Sequence, residues 1–207
     1  MSVVNRHIVS KFDRGIGSGT TNRPEYPCYF FYDYGYFAFI YLRSELEIGS
    51  KINITGIRFE MDATDAPQTN LNQTLKLAQV SGNEFDINIR NDMTQSPNTG
   101  WSATNITTVK SNFTWSITSN TQQFYEILFD TPFKYDGSSS THPNLLVIWE
   151  NRDGSYLGGS TSPWSECFTD GTFRSYYDYQ DGSMPNSTDY GTRANTGTPN
   201  IQLIFEV

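Results

Sequence analysis

"KINITGIRFEM", residues 51–61, carries the pattern from which the fold is read. Ile52 and Ile54 alternate with polar neighbours, and so do Ile57, Phe59 and Met61, but the two sets are out of phase by one residue across Gly56. Strand side chains alternate between faces with a period of two, so an apolar set that keeps its alternation and slips once describes one strand with a bulge or bend. A helix would repeat its apolar positions every three to four residues instead. The stretch therefore reads as a curved strand with one face buried.

Similar short runs recur outward from it, at residues 36–42, 74–80, 105–108, 112–118, 123–130, 144–150, 173–179 and 200–207. Each is bounded by turn chemistry, as in "SGN" at Ser81, "DGS" at Asp136 and Asp153, "QDGSMP" at Gln180 and "TGTP" at Thr196. "NLLVIWE" (144–150) is nearly continuous in apolar residues and suits a central strand covered on both faces. In "FDTPFKYDG", Pro132 cannot donate to a ladder and belongs at a strand end or edge, Phe133 and Tyr135 share a face, and Asp136-Gly137 turns the chain. No helix of any length is expected. The predicted fold is all-β: a single-domain antiparallel β-sandwich, jelly-roll-like, at residues 23–207, preceded by an extended, Gly-rich arm at residues 1–22.

Composition agrees. Aromatic residues make up 15% of the 207 and charged residues only 17%, while strong helix formers are scarce. Fourteen Lys and Arg against 22 Asp and Glu give a net charge of −8, the wrong sign for a phosphate backbone, so nucleic acid is not an expected partner. No window approaches the roughly 20 apolar residues of a membrane span. The opening "MSVVNRHIVSKFDRG" lacks the apolar stretch of a secretory signal, so a chain starting at Met1 is expected to enter the cytoplasm.

The chemistry-bearing residues are few. Two histidines, His7 and His142, and two distant cysteines, Cys28 and Cys167, offer no zinc spacing. The cysteines are expected as buried free thiols. His142 lies in the polar stretch "GSSSTHPN" with no nucleophile elbow near it, so no catalytic residue is assigned. Glu150 and Glu166 are the least ordinary carboxylates and are read as structural hydrogen-bonding groups. The loops "NRDGS" (151–155) and "DYQDGSMPNSTD" (178–189) are rich in the oxygen donors calcium prefers. Neither has the spacing of a helix-loop-helix calcium site, and both are read as turns. No metal or cofactor is expected.

The run "YDYGYFAFIYLRSEL" (32–46) raises the possibility of an aromatic binding shelf. Alternation places large apolar groups on both of its faces, as in a strand sandwiched between layers or lying at a subunit contact. Better candidates for exposed recognition rings are Trp101, Tyr156, Trp164, Tyr176 and Tyr190, which lie in or beside loops of Gly, Ser, Thr and Asn.

The succession "GSGTT…YP" (within 17–27), "IYLRSEL" (40–46), "INITGIRFEM" (52–61), "ILFDTPFKYDG" (127–137) and "NLLVIWEN" (144–151) resembles β-sandwich modules of Bacteroidetes surface proteins. It is similar as well to stand-alone sandwiches among the virion structural proteins of tailed bacteriophages. Unlike the secreted modules, this chain is expected to carry no export signal and no appended domain. The resemblance implies a non-enzymatic structural protein of a phage particle, a capsid decoration or head or tail fibre component, located in the virion. Its implied partners are other virion proteins or copies of itself. The alternative it leaves open is an extracellular or cell-surface adhesion module binding a host-surface glycan or receptor.

Overall fold

A computed structural model describes residues 11–62, 68–85, 95–96, 101–118, 121–155, 163–185 and 194–206. The strands form two antiparallel sheets packed face to face, an all-β sandwich. One sheet runs β1 (Lys11–Ile16), β14 (Ile201–Glu206), β4 (Lys51–Met61), β10 (Ser165–Thr169) and β13 (Gly197–Pro199), with β8 (Gln123–Asp136) on β4 and β2 (Thr21–Arg23) on β10. The second runs β12 (Ala194–Asn195), β11 (Ser175–Gln180), β3 (Tyr34–Tyr41), β9 (Asn144–Arg152), β5 (Gln68–Val80), β7 (Trp101–Ile117) and β6 (Gln95–Ser96). Among the described residues no helix is long and apolar enough to cross a membrane.

The phase slip at Gly56 is a bulge. Ile54 pairs with Phe133 but Gly56 pairs with Leu128, so residues 129–132 of β8 stand opposite Thr55 alone. Pro132 sits in this irregularity of an edge strand, where its missing N–H breaks no ladder bond. Glycine is needed at 56 because a Cβ there would lie 2.9 Å from Ile204 Cδ1 and 3.0 Å from the Ile127 carbonyl. Beyond the bulge Phe133 and Tyr135 both turn inward and are buried.

Residues 105–108 and 112–118, expected as two strands, are parts of one, β7. Asn105 and Asn112 have φ of 55° and 51°, close to where the pairing with β5 slips. Asn tolerates this left-handed conformation better than most residues, so the chain bulges at these positions without ending the strand.

Between the sheets, Phe37, Phe39 and Tyr41 of β3, Leu145, Val147 and Trp149 of β9, and Ile57, Phe59 and Met61 of β4 form the main core, each wholly buried. The alternate residues of the second sheet, Ala38, Ile40, Ala78, Leu146 and Ile148, are buried on its outer face with Phe85 and Tyr176 in a second cluster. This is why β3 and β9 are apolar on both sides, and it answers the question posed by the ring-rich run. The outer face of the first sheet is polar instead, with Arg58 bonded to Glu126 at 2.7 Å, to Gln202 at 3.1 Å and to Asp13.

Two expectations change. A single helical turn, α1 (Arg43–Leu46), follows β3 where none was expected; Glu45 Oε2 accepts the Leu42 N–H at 2.8 Å, and Glu47 ends the turn at φ 53°. The stretch read as an arm supplies strands: β1 pairs along β14, and β2 pairs with β10. Gly19 serves close packing, since a Cβ on it would lie 2.2 Å from the Cys167 carbonyl oxygen. Residues 1–10 lie outside the described residues. Cys28 and Cys167 are free and buried, as expected, and burial pushes both thiols up, away from the reactive thiolate.

Candidate functional site

The feature least explained by folding alone is a cluster of aromatic rings at the end of the sandwich where β3 begins and β11 ends. On β11, Tyr177 and Tyr179 stand opposite Phe37 and Gly35 and so face the same side as the main core. They lie at the sheet margin, where the loop before β3 packs over them. Tyr179 lies 4.1 Å from Tyr32 and 4.9 Å from Tyr29 between ring centroids, and Phe31 lies 5.7 Å from Tyr32 and 6.0 Å from Tyr29. Tyr177 stacks on Tyr179 at 5.7 Å, then meets Tyr26 at 5.6 Å, which meets Phe39 of the core at 5.1 Å. The rings thus run continuously from the core to the surface, where Phe31 is 41% exposed. Centroid separations of 4.5–7 Å are those at which aromatic pairs attract, so the exposed end is held by the buried one.

Backbone contacts brace this end. Gly154 N–H donates to the Asp33 carbonyl at 3.1 Å, Gly182 N–H to Asp33 Oδ2 at 3.3 Å, and Leu71 N–H to Asp153 Oδ2 at 2.8 Å. Leu71, 49% exposed, adds apolar surface beside the same loop. Such an arrangement offers a rigid apolar platform with polar loops around it, the composition of a protein contact surface.

Of the rings expected from sequence to be exposed, Trp164 is on the surface, at 43%. Tyr176 is buried in the second cluster, its ring 5.9 Å from Phe85, because β11 puts residue 176 on the covered outer face. The side chain of Trp101 and the whole of Tyr156 and Tyr190 lie outside the described residues. Tyr29, Phe31, Tyr177 and Tyr179 were missed. The signal was present: "YFFY" (29–32) extends the ring-rich run towards the N-terminus, and "SYYDYQ" (175–180) alternates in the phase of 177 and 179.

Glu150, His142 and Asp153 are engaged by contacts within the fold. Glu150 is buried, bonded to Lys76 Nζ at 2.5 Å and Arg152 Nε at 2.9 Å. His142 lies 3.2 Å from Ser102 Oγ through Nε2, but its Nδ1 meets the Thr141 hydroxyl at 3.0 Å, where a catalytic triad places a carboxylate. In "NRDGS" Asp153 accepts from Leu71 and Ser155 and donates its N–H to Asn151 Oδ1, a turn network. Part of the second calcium candidate, residues 186–189, lies outside the described residues. Among the described residues no group of three or more His, Cys, Asp or Glu could hold a metal ion. Glu166 is 5% exposed, and burial, then the charges of Asp62 and Glu60, push its carboxyl above the usual range.

Compared with known proteins, the chain matches no protein-family model and no curated protein.

Proposed function

We propose that the protein is a non-enzymatic structural subunit of a bacteriophage particle, a capsid decoration or fibre component, and that its aromatic end contacts a second copy of the chain. The observation that carries this reading is the half-exposed ring platform of Tyr29, Phe31, Tyr32 and Tyr179, anchored through Tyr177 and Tyr26 to the core. Aromatic rings held in a braced setting are what contact surfaces use as anchors. The resemblance of its sequence to stand-alone virion sandwiches, and the structural engagement of Glu150, His142 and Asp153, support the same reading. Phe31→Glu places a charge on the platform at a position that already meets water, so folding is expected to survive while self-association is lost. Sedimentation velocity at rising concentration should show oligomers of the wild type and monomers of the variant; a wild type that stays monomeric throughout argues against self-contact here.

A second reading, a glycan-binding module, is favoured by one observation: Trp164 is 43% exposed, and its carbonyl accepts the N–H of Asp62, whose carboxylate binds the Asn22 amide at 2.9 Å. An exposed indole is a surface on which a sugar ring could stack.

A further inference from the structure

The outer face of the first sheet holds a proton-counting problem at Glu166. Asn22 and Glu166 are directly paired across β2 and β10, so their side chains are neighbours on one face. Glu166 Oε2 and Asn22 Oδ1 are both buried, and neither has a hydrogen-bond partner. The Asn22 amide donates elsewhere, to Asp62 Oδ2 at 2.9 Å. Turning the amide over does not help: its nitrogen would then serve Glu166, and its oxygen would face Asp62 Oδ2. In either orientation the acceptors of Asn22, Asp62 and Glu166 outnumber the donors offered to them, so the cluster is short of a hydrogen. Glu60 cannot supply it, because its two oxygens accept from Gln122 and Asn200 at 2.9 and 2.8 Å.

We propose that the missing hydrogen is a proton on Glu166, which holds β2 to β10 as a neutral, donating acid, so that this part of the sheet loosens when the proton leaves. Of the two carboxyls beside the Asn22 amide, Glu166 is the more deeply buried and carries the uncompensated oxygen. The titratable groups facing it are Asp62, just past the end of β4, and Glu60 of β4. From β2 it faces the Asn22 amide. All the charge it meets is negative, which favours the neutral acid, and the upward push on its carboxyl agrees.

The sign follows. A carboxyl raised in the folded state contributes stability in full below its unfolded value, and that contribution is lost as the pH rises through the raised value. Glu166→Gln keeps the shape and supplies a permanent N–H donor. Melting temperatures of the two proteins should coincide near pH 4 and separate as pH rises, the variant becoming the more stable by several degrees. Carboxyl-carbon NMR of the wild type gives an independent reading that does not require the variant to fold, and it should place the Glu166 midpoint above that of exposed glutamates. A midpoint at or below the ordinary range, or a variant less stable at every pH, overturns the proposal. So does a wild type, stripped with chelator, whose melting temperature rises on adding calcium while that of the variant does not, for then a cation and not a proton fills the gap.

Discussion

Trp149→Ala is expected to cost about 5 kcal/mol, a large part of the roughly 5–15 kcal/mol by which domains of this kind are stable. Trp149 is wholly buried, and its ring lies 5.1 Å from Trp115, 5.4 Å from Phe113 and 5.6 Å from Phe59, so it joins three strands from both sheets. Removing a large ring from such a site costs about 3–5 kcal/mol in transfer and cavity terms. The indole also donates to Gln73 Oε1 at 2.6 Å, and Gln73 in turn donates to Asn151 Oδ1 at 2.6 Å, both wholly buried. Losing the donor leaves a buried amide oxygen unpaired, about 1–3 kcal/mol more. Urea denaturation measures the total, and Trp149→Phe, which keeps most of the ring, isolates the hydrogen bond. A loss below about 2 kcal/mol for the alanine variant would mean that Trp149 does not join the sheets as described.

Arg174→Ala should follow, at about 3 kcal/mol. The guanidinium is 1% exposed, pairs with Glu45 at 2.7 Å and Asp170 at 2.8 Å, and lies 5.0 Å over the Phe168 ring. Truncation removes the cationic partner that both carboxylates share and leaves a void where the buried guanidinium lay. The two acids keep partial access to water, which holds the cost to the lower end of the range for broken buried pairs. Burial opposes the charge on Asp170, but the Thr172 side-chain and backbone donors and the guanidinium outweigh it, so its carboxyl sits below the usual range. A depressed carboxyl contributes stability that is present above its unfolded value and is lost as the pH falls through the folded one. The wild type should therefore lose stability below about pH 4 more steeply than Arg174→Ala. Equal acid sensitivity in thermal melts would show that Arg174 does not hold Asp170 charged.

What could be read beforehand divides along physical lines. Patterns set by neighbouring residues were legible: the slip at Gly56, the two-sided burial of 144–150, the inward pair Phe133 and Tyr135, and the two free thiols. Features set by distant packing were not. β1 and β2 are polar and short, and only their docking onto β14 and β10 makes them strands. The glycines at 17 and 19 look like a flexible opening, but Gly17 takes a φ of 83° against the Phe168 ring and Gly19 packs against the Cys167–Phe168 backbone. The ring platform was half legible. Its residues are conspicuous, yet choosing 177 and 179 over 176 requires knowing which face of β11 the second cluster covers.

Whether the protein is a subunit of a phage particle, as proposed, is decided by quantitative mass spectrometry of particles purified from the culture that produces it, set against the cleared medium. The chain should be found in the particles at a fixed, high ratio to the major shell protein. Finding it only in the soluble fraction would contradict that claim and turn attention to Trp164 and a sugar.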